Sequence, residues 1–139
     1  MANVLVVEDE INTANMERDF LEGAGFHPFI APNALEALKL MHSEKMDAII
    51  LDVTLPGEDG FSLCRKIREI TNAPIIFATA PTEDADIVRG LGLGADAYLL
   101  KPISGTVLIA HLRAQLSVHA RIMDQKLNKS APEEGLAID

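Results

Sequence analysis

Five short apolar runs recur along the chain, and a segment of helical pattern follows each one. The runs cover residues 4–7, 26–31, 48–51, 74–79 and 97–100. The third, Ala48-Ile49-Ile50-Leu51, has no polar alternation, which suits a strand covered on both faces, as in a parallel sheet. Val4-Leu5-Val6-Val7 reads the same way. Strand–helix alternation of this kind implies right-handed crossovers, with helices on both faces of one sheet.

The segments between the runs carry helix signals. Residues 11–21 offer Met16, Phe20 and Leu21 to one face, and Gly23 and Gly25 end that helix. Pro28 marks the second run as an edge strand. Asn33 is placed to cap a helix over 34–42, with Leu35, Leu38 and Met41 spaced for burial. A third helix spans 61–70 around Phe61, Cys64 and Ile67. A fourth starts at Thr82-Glu83-Asp84 and ends in Gly90, Gly92 and Gly94. The last spans 104–123, with Val107, Leu108, Leu112, Leu116 and Ile122 on one side. The order is (βα)5, an α/β chain. It fits a flavodoxin-like doubly wound sheet of five parallel strands, order 2-1-3-4-5. Residues 1–123 form one domain. Residues 124–139 read as a flexible tail, or as the start of a linker to an effector domain.

Composition narrows the function. The formal charge of −9 argues against gripping nucleic acid or an anionic membrane through bulk charge. The single cysteine, Cys64, allows no internal disulfide and fits a reducing compartment. No run reaches the roughly 18 apolar residues of a membrane span. A cytoplasmic location is expected.

In a doubly wound sheet the chemistry lies at the C-terminal edge of the strands. There strand 1 delivers Glu8 and Asp9, strand 3 Asp52, strand 4 Thr79, and strand 5 Tyr98 and then Lys101. Taken singly each has a plain structural role. Asp52 suits an Asx turn, Glu8 and Asp9 suit a helix start, Tyr98 suits the core, and Thr79 and Lys101 suit a strand end and the surface. Their convergence is what points to a site. Like charges about 4 Å apart repel by roughly 1 kcal/mol in water and about 4 kcal/mol at an effective dielectric of 20. A divalent cation resolves that conflict. Oxygen donors without Cys or His favour Mg²⁺ (or Mn²⁺). Lys101 supplies a point charge for a phosphoryl oxygen, Thr79 a hydroxyl, and Asp52 a carboxylate nucleophile.

Four motifs, VLVVEDE, LDVTLPGEDG, PIIFATA and GADAYLLKP, together resemble the receiver domain of bacterial two-component response regulators over about residues 3–116. The resemblance implies that Asp52 accepts a phosphoryl group from a sensor histidine kinase. It implies that Glu8, Asp9, Asp52 and the backbone carbonyl of Thr54 hold Mg²⁺. It makes Thr79 the switch hydroxyl, Tyr98 the aromatic that follows it, and Lys101 the phosphate contact. The responding face lies on the fourth helix, fifth strand and fifth helix. Kinase docking is expected near Asn12, Asn15, Met16 and Arg18.

The resemblance extends to the winged-helix, OmpR-like class, but with departures. Ala97, Ile103, Val107, His111 and Ile87 stand where that class carries the second Asp of GADDY, a Phe, an acid and two arginines; Arg89 remains. Dimerisation through the usual charge pairs is therefore not expected. The tail sequence SAPEEGLAID is similar to the first strand of a winged-helix effector, which sets a fragment of a longer transcription regulator beside a stand-alone receiver acting through protein contacts. An aspartyl-phosphate hydrolase of the haloacid-dehalogenase type needs a second acid two positions after the nucleophile, and Thr54 stands there. Flavin binding is disfavoured by Glu8-Asp9-Glu10 where a phosphate loop is required.

Overall fold

Val4, Leu5, Val6 and Val7 have almost no solvent exposure because the strand that carries them lies inside the sheet and is covered on both faces. The structure, a computed structural model, describes residues 1–53, 55, 59–79 and 96–130. Five parallel strands, β1 (Asn3–Val7), β2 (His27–Ala31), β3 (Ala48–Leu51), β4 (Ile75–Thr79) and β5 (Ala97–Leu100), form one sheet in the order β2-β1-β3-β4-β5. The expected doubly wound arrangement is what the chain adopts, with Pro28 on an edge strand.

Period-two alternation sorts the continuous apolar runs into two cores. Leu5, Val7, Ile49, Leu51, Ile75 and Phe77 join a cluster with residues of α2 (Ala34–Ser43) and α3 (Gly60–Ile70). Val4, Val6, Ala48, Ile50, Ile76 and Ala78 join the opposite cluster, with Leu21 of α1 (Ile11–Gly23) and Leu108 and Leu112 of the C-terminal helix (Gly105–Ser130). Two-faced burial is why these strands show no polar alternation.

Three helices start on side-chain caps. Glu10 accepts from the Thr13 N–H at 2.6 Å, Asn33 from the Glu36 N–H at 2.9 Å, and Asp59 from the Ser62 N–H at 2.8 Å.

The buried stripes differ from the expected ones in detail. In α1 the inward residues are Ala14, Glu17 and Leu21, while Met16 and Phe20 are exposed. In α2 they are Ala34, Ala37 and Met41, and Leu35 faces outward. In the C-terminal helix Val107 and Ile122 are exposed. In α2 two of the three inward residues are alanines, so the buried stripe there is made largely of small side chains rather than leucines. The C-terminal helix also runs past residue 123 to Ser130. No glycine or proline interrupts residues 124–130, and Pro132 lies just beyond the helix end. The expected fourth helix, with Ile87 and Arg89, lies outside the described residues, as does the sequence from 131 onward.

Candidate functional site

Parallel register brings the ends of β1 and β3 side by side. Val7 pairs with Leu51, so Glu8 and Asp52 leave the sheet together. The Asp52 N–H donates to the Val7 carbonyl at 3.0 Å, and the Glu8 N–H donates to the Ala31 carbonyl at 3.0 Å. Their backbones are thus locked to the sheet, and the carboxylates emerge above its edge. Thr79 pairs with Leu100, so the residue after β5, Lys101, reaches the same edge.

Glu8 and Asp52 are buried, at 3% and 5% exposure, while Asp9 is exposed. One oxygen from each of these three carboxylates lies within 4.8 Å of the others. Lys101 spans the buried pair, donating from Nζ to Glu8 Oε1 at 2.5 Å and to Asp52 Oδ2 at 3.3 Å. The other Glu8 oxygen accepts from the Glu10 N–H at 3.2 Å.

Burial pushes the Glu8 carboxyl up to about 6; the Lys101 and Glu10 hydrogen bonds pull the other way, and the neighbouring Asp52 charge adds to the rise. Burial alone would lower the Lys101 ammonium, but its bond to Glu8 and the charges of Asp52 and Glu8 outweigh that and raise it. The carboxylates outnumber the one ammonium among them, so the donor set is all oxygen and in excess of its internal counter-charge. It fits a hard divalent cation such as Mg²⁺. Glu8, Asp9 and Asp52 are the side chains that would hold it.

Of the other expected site residues, Tyr98 sits on β5 beside Phe77 of β4, with ring centroids 5.6 Å apart, and is partly buried against the α2/α3 core. Thr79 ends β4, and its side chain lies outside the described part. Thr54 is also outside it. The structure therefore brings Glu8, Asp9, Asp52 and Lys101 together, and holds Tyr98 directly opposite Phe77 on the neighbouring strand.

Two residues near the site have roles that the sequence reading did not assign. Gly60 opens α3, donates its N–H to the Val53 carbonyl at 2.7 Å, and sits so close that a Cβ there would collide with the Asp52 carbonyl oxygen and lie 2.7 Å from Val53 Cα. A Gly immediately after the Asp59 cap was the available signal. The second is Glu17, buried on α1. Nothing local marks it, because an acid between polar neighbours reads as a solvated helix position.

Comparison with known proteins agrees with this geometry. Residues 4–113 match the family model described as the response regulator receiver domain. The transcriptional regulatory protein AfsQ1 of Streptomyces coelicolor is 39% identical over 139 residues, covering 100% of this chain and 60% of that protein. The chain thus spans about three-fifths of that relative's length. A two-component response regulator from Clostridium difficile superposes with a TM-score of 0.82 at 34% identity, over 84% of this chain and 97% of that one. A CheY-like receiver domain protein from Methanospirillum hungatei gives 0.84 at 25% identity, over 87% and 98%. Among the described residues no helix is long and apolar enough to cross a membrane.

Proposed function

Because this chain belongs to the response regulator receiver domain family, we propose that Asp52 is its phosphoacceptor in two-component signalling. The observation that carries the reading is the buried Asp52 carboxylate at the sheet edge, with Lys101 bridging it to the buried acid Glu8. An Asp52 oxygen attacks the phosphorus of a phosphohistidine on a sensor histidine kinase, or of a small acyl phosphate. The P–N or P–O bond breaks in line, and imidazole or the carboxylate leaves with the electron pair.

Glu8, Asp9 and Asp52, with the Thr54 carbonyl that the resemblance adds, would hold Mg²⁺ or Mn²⁺, which when bound would supply positive charge against the phosphoryl oxygens. Lys101, already within hydrogen-bond reach of Asp52, contacts a phosphoryl oxygen once the group is on the carboxylate. The Thr79 hydroxyl contacts another, and Tyr98 follows it, changing the face around β5. That is a local charge event biasing a two-state element. The domain is a signalling module rather than a turnover enzyme, since Thr54 stands where a hydrolase would place its second acid.

Output through transcription is supported by the relative named as a transcriptional regulatory protein, of which this chain matches only part. An effector domain following the receiver would make the DNA contacts, because this domain is itself acidic.

Intact-mass measurement after treatment with acetyl phosphate and Mg²⁺ tests the reading. The wild type should gain the mass of one phosphoryl group, and Asp52→Ala should gain none. An unmodified wild type, or an equally modified variant, would contradict it.

A further inference from the structure

Glu17 is the one charged residue in the buried stripe of α1, between Ala14 and Leu21. It is 1% exposed, and neither of its carboxylate oxygens has a hydrogen-bond partner among the described residues. An ionised carboxylate left this way costs several kcal/mol, so Glu17 is relieved either by a proton or by a cation that can reach it. Glu17 and Lys101 line the same cavity of about 420 Å³, together with Thr13, Met16, Pro102 and Ile103. The charges that act on Glu17 are those of Glu8, Lys101 and Asp52. Lys101 meanwhile occupies Glu8 Oε1 and Asp52 Oδ2, two carboxylates that a cation at the acid cluster needs. Lysine and cation therefore compete, and a displaced ammonium must be placed somewhere.

We infer that Glu17 is a positioning residue for Lys101: it takes the lysine ammonium within their shared cavity when Glu8 and Asp52 turn to a divalent cation, keeping the lysine beside Asp52. The inference rests on reading the acid cluster as the metal and phosphoacceptor site. Lysine's flexible four-carbon stem suits two stations where a planar arginine would not. One acid is thereby left out of the cation's shell and reserved for the lysine. That accounts for a fourth carboxylate in a place where apolar packing would otherwise be expected.

The test is calorimetric titration of Mg²⁺ at pH 8 into four proteins: wild type, Glu17→Gln, Lys101→Met and the double variant. Glu17→Gln should bind Mg²⁺ about fivefold or more weakly, the low end of coupling between linked sites. In the Lys101→Met background the same substitution should have little effect, because the lysine it serves is gone. Glu17→Leu, which removes the charge with an apolar side chain, should repeat the result, and thermal melts confirm that the variants fold. The Lys101 ammonium should also give an exchange-protected NMR signal in the Mg²⁺-bound wild type and lose it in Glu17→Gln.

Equal affinities in wild type and Glu17→Gln would overturn the inference alone. A loss of equal size in both backgrounds would also overturn it, since a through-space charge effect needs no lysine. A wild type that takes up no Mg²⁺ would instead overturn the reading of the acid cluster, and this inference with it.

Discussion

The cluster at the strand ends holds more negative charge than its lysine offsets, and that surplus sets its behaviour. Burial lifts the Glu17 carboxyl from 4.5 to about 7 and that of Glu8 from 4.5 to about 6. Between 4.5 and those values the folded chain holds protons that the unfolded chain has already released. Stability therefore falls as pH rises through that window, by up to about 3 kcal/mol from Glu17. Metal-free protein is expected to melt at a lower temperature at pH 8 than at pH 5. Glu17→Leu should raise stability at pH 8 by roughly 1–3 kcal/mol and flatten that dependence. Thermal melts across the range in a chelating buffer check this, and a variant as pH-dependent as the wild type would contradict it. At this scale the sequence showed Glu8, Asp9, Asp52 and Lys101, because each follows an apolar run directly and the topology carries it to one edge. Glu17 was illegible. Its burial depends on which stripe of α1 faces the sheet, and Ala14 and Leu21 decide that only once the helix is packed.

Helix α3 shows how an element serves the site without contributing a reactive group. Asp59 caps it, and its first residue, Gly60, rests against the backbone of Asp52 and Val53. Gly60→Ala forces a methyl group into that backbone and should cost roughly 1–3 kcal/mol. Chemical denaturation measures the loss, and a change below a few tenths of a kcal/mol would show that α3 can back away freely. The strands were legible because burial on both faces leaves a continuous apolar run, and the α2 cap because Asn33 stands just before a helical segment; the Glu10 and Asp59 caps were not read. Helical faces were less so. Leu35, Val107 and Ile122 satisfy helical spacing as well as the residues that are buried. In α2 Ala34 and Ala37 are buried while Leu35 is exposed, an order that hydrophobicity alone does not predict. The end of the C-terminal helix was also misplaced, since a polar composition after residue 123 looked like a tail although nothing in it breaks a helix until Pro132.

At the scale of the molecule, two apolar cores fix the sheet, and Lys101, the residue after β5, ties that strand to the acid cluster at the sheet edge. In the winged-helix class the output face dimerises through charges, most of which this chain lacks: Val107 and His111 stand at two of those positions. Val107 is exposed on the C-terminal helix. Beryllofluoride-treated protein should therefore sediment with the same mass at low and high salt. A dimer that dissociates as salt rises would restore the charge pairs. The central claim is that Asp52 itself carries the phosphoryl group. Borohydride reduces an aspartyl phosphate to homoserine, so treating the protein with acetyl phosphate and Mg²⁺, then borohydride, and mapping its peptides tests that claim directly. Homoserine is predicted at position 52 and nowhere else; unmodified aspartate there, or homoserine at Asp9 instead, would contradict the account.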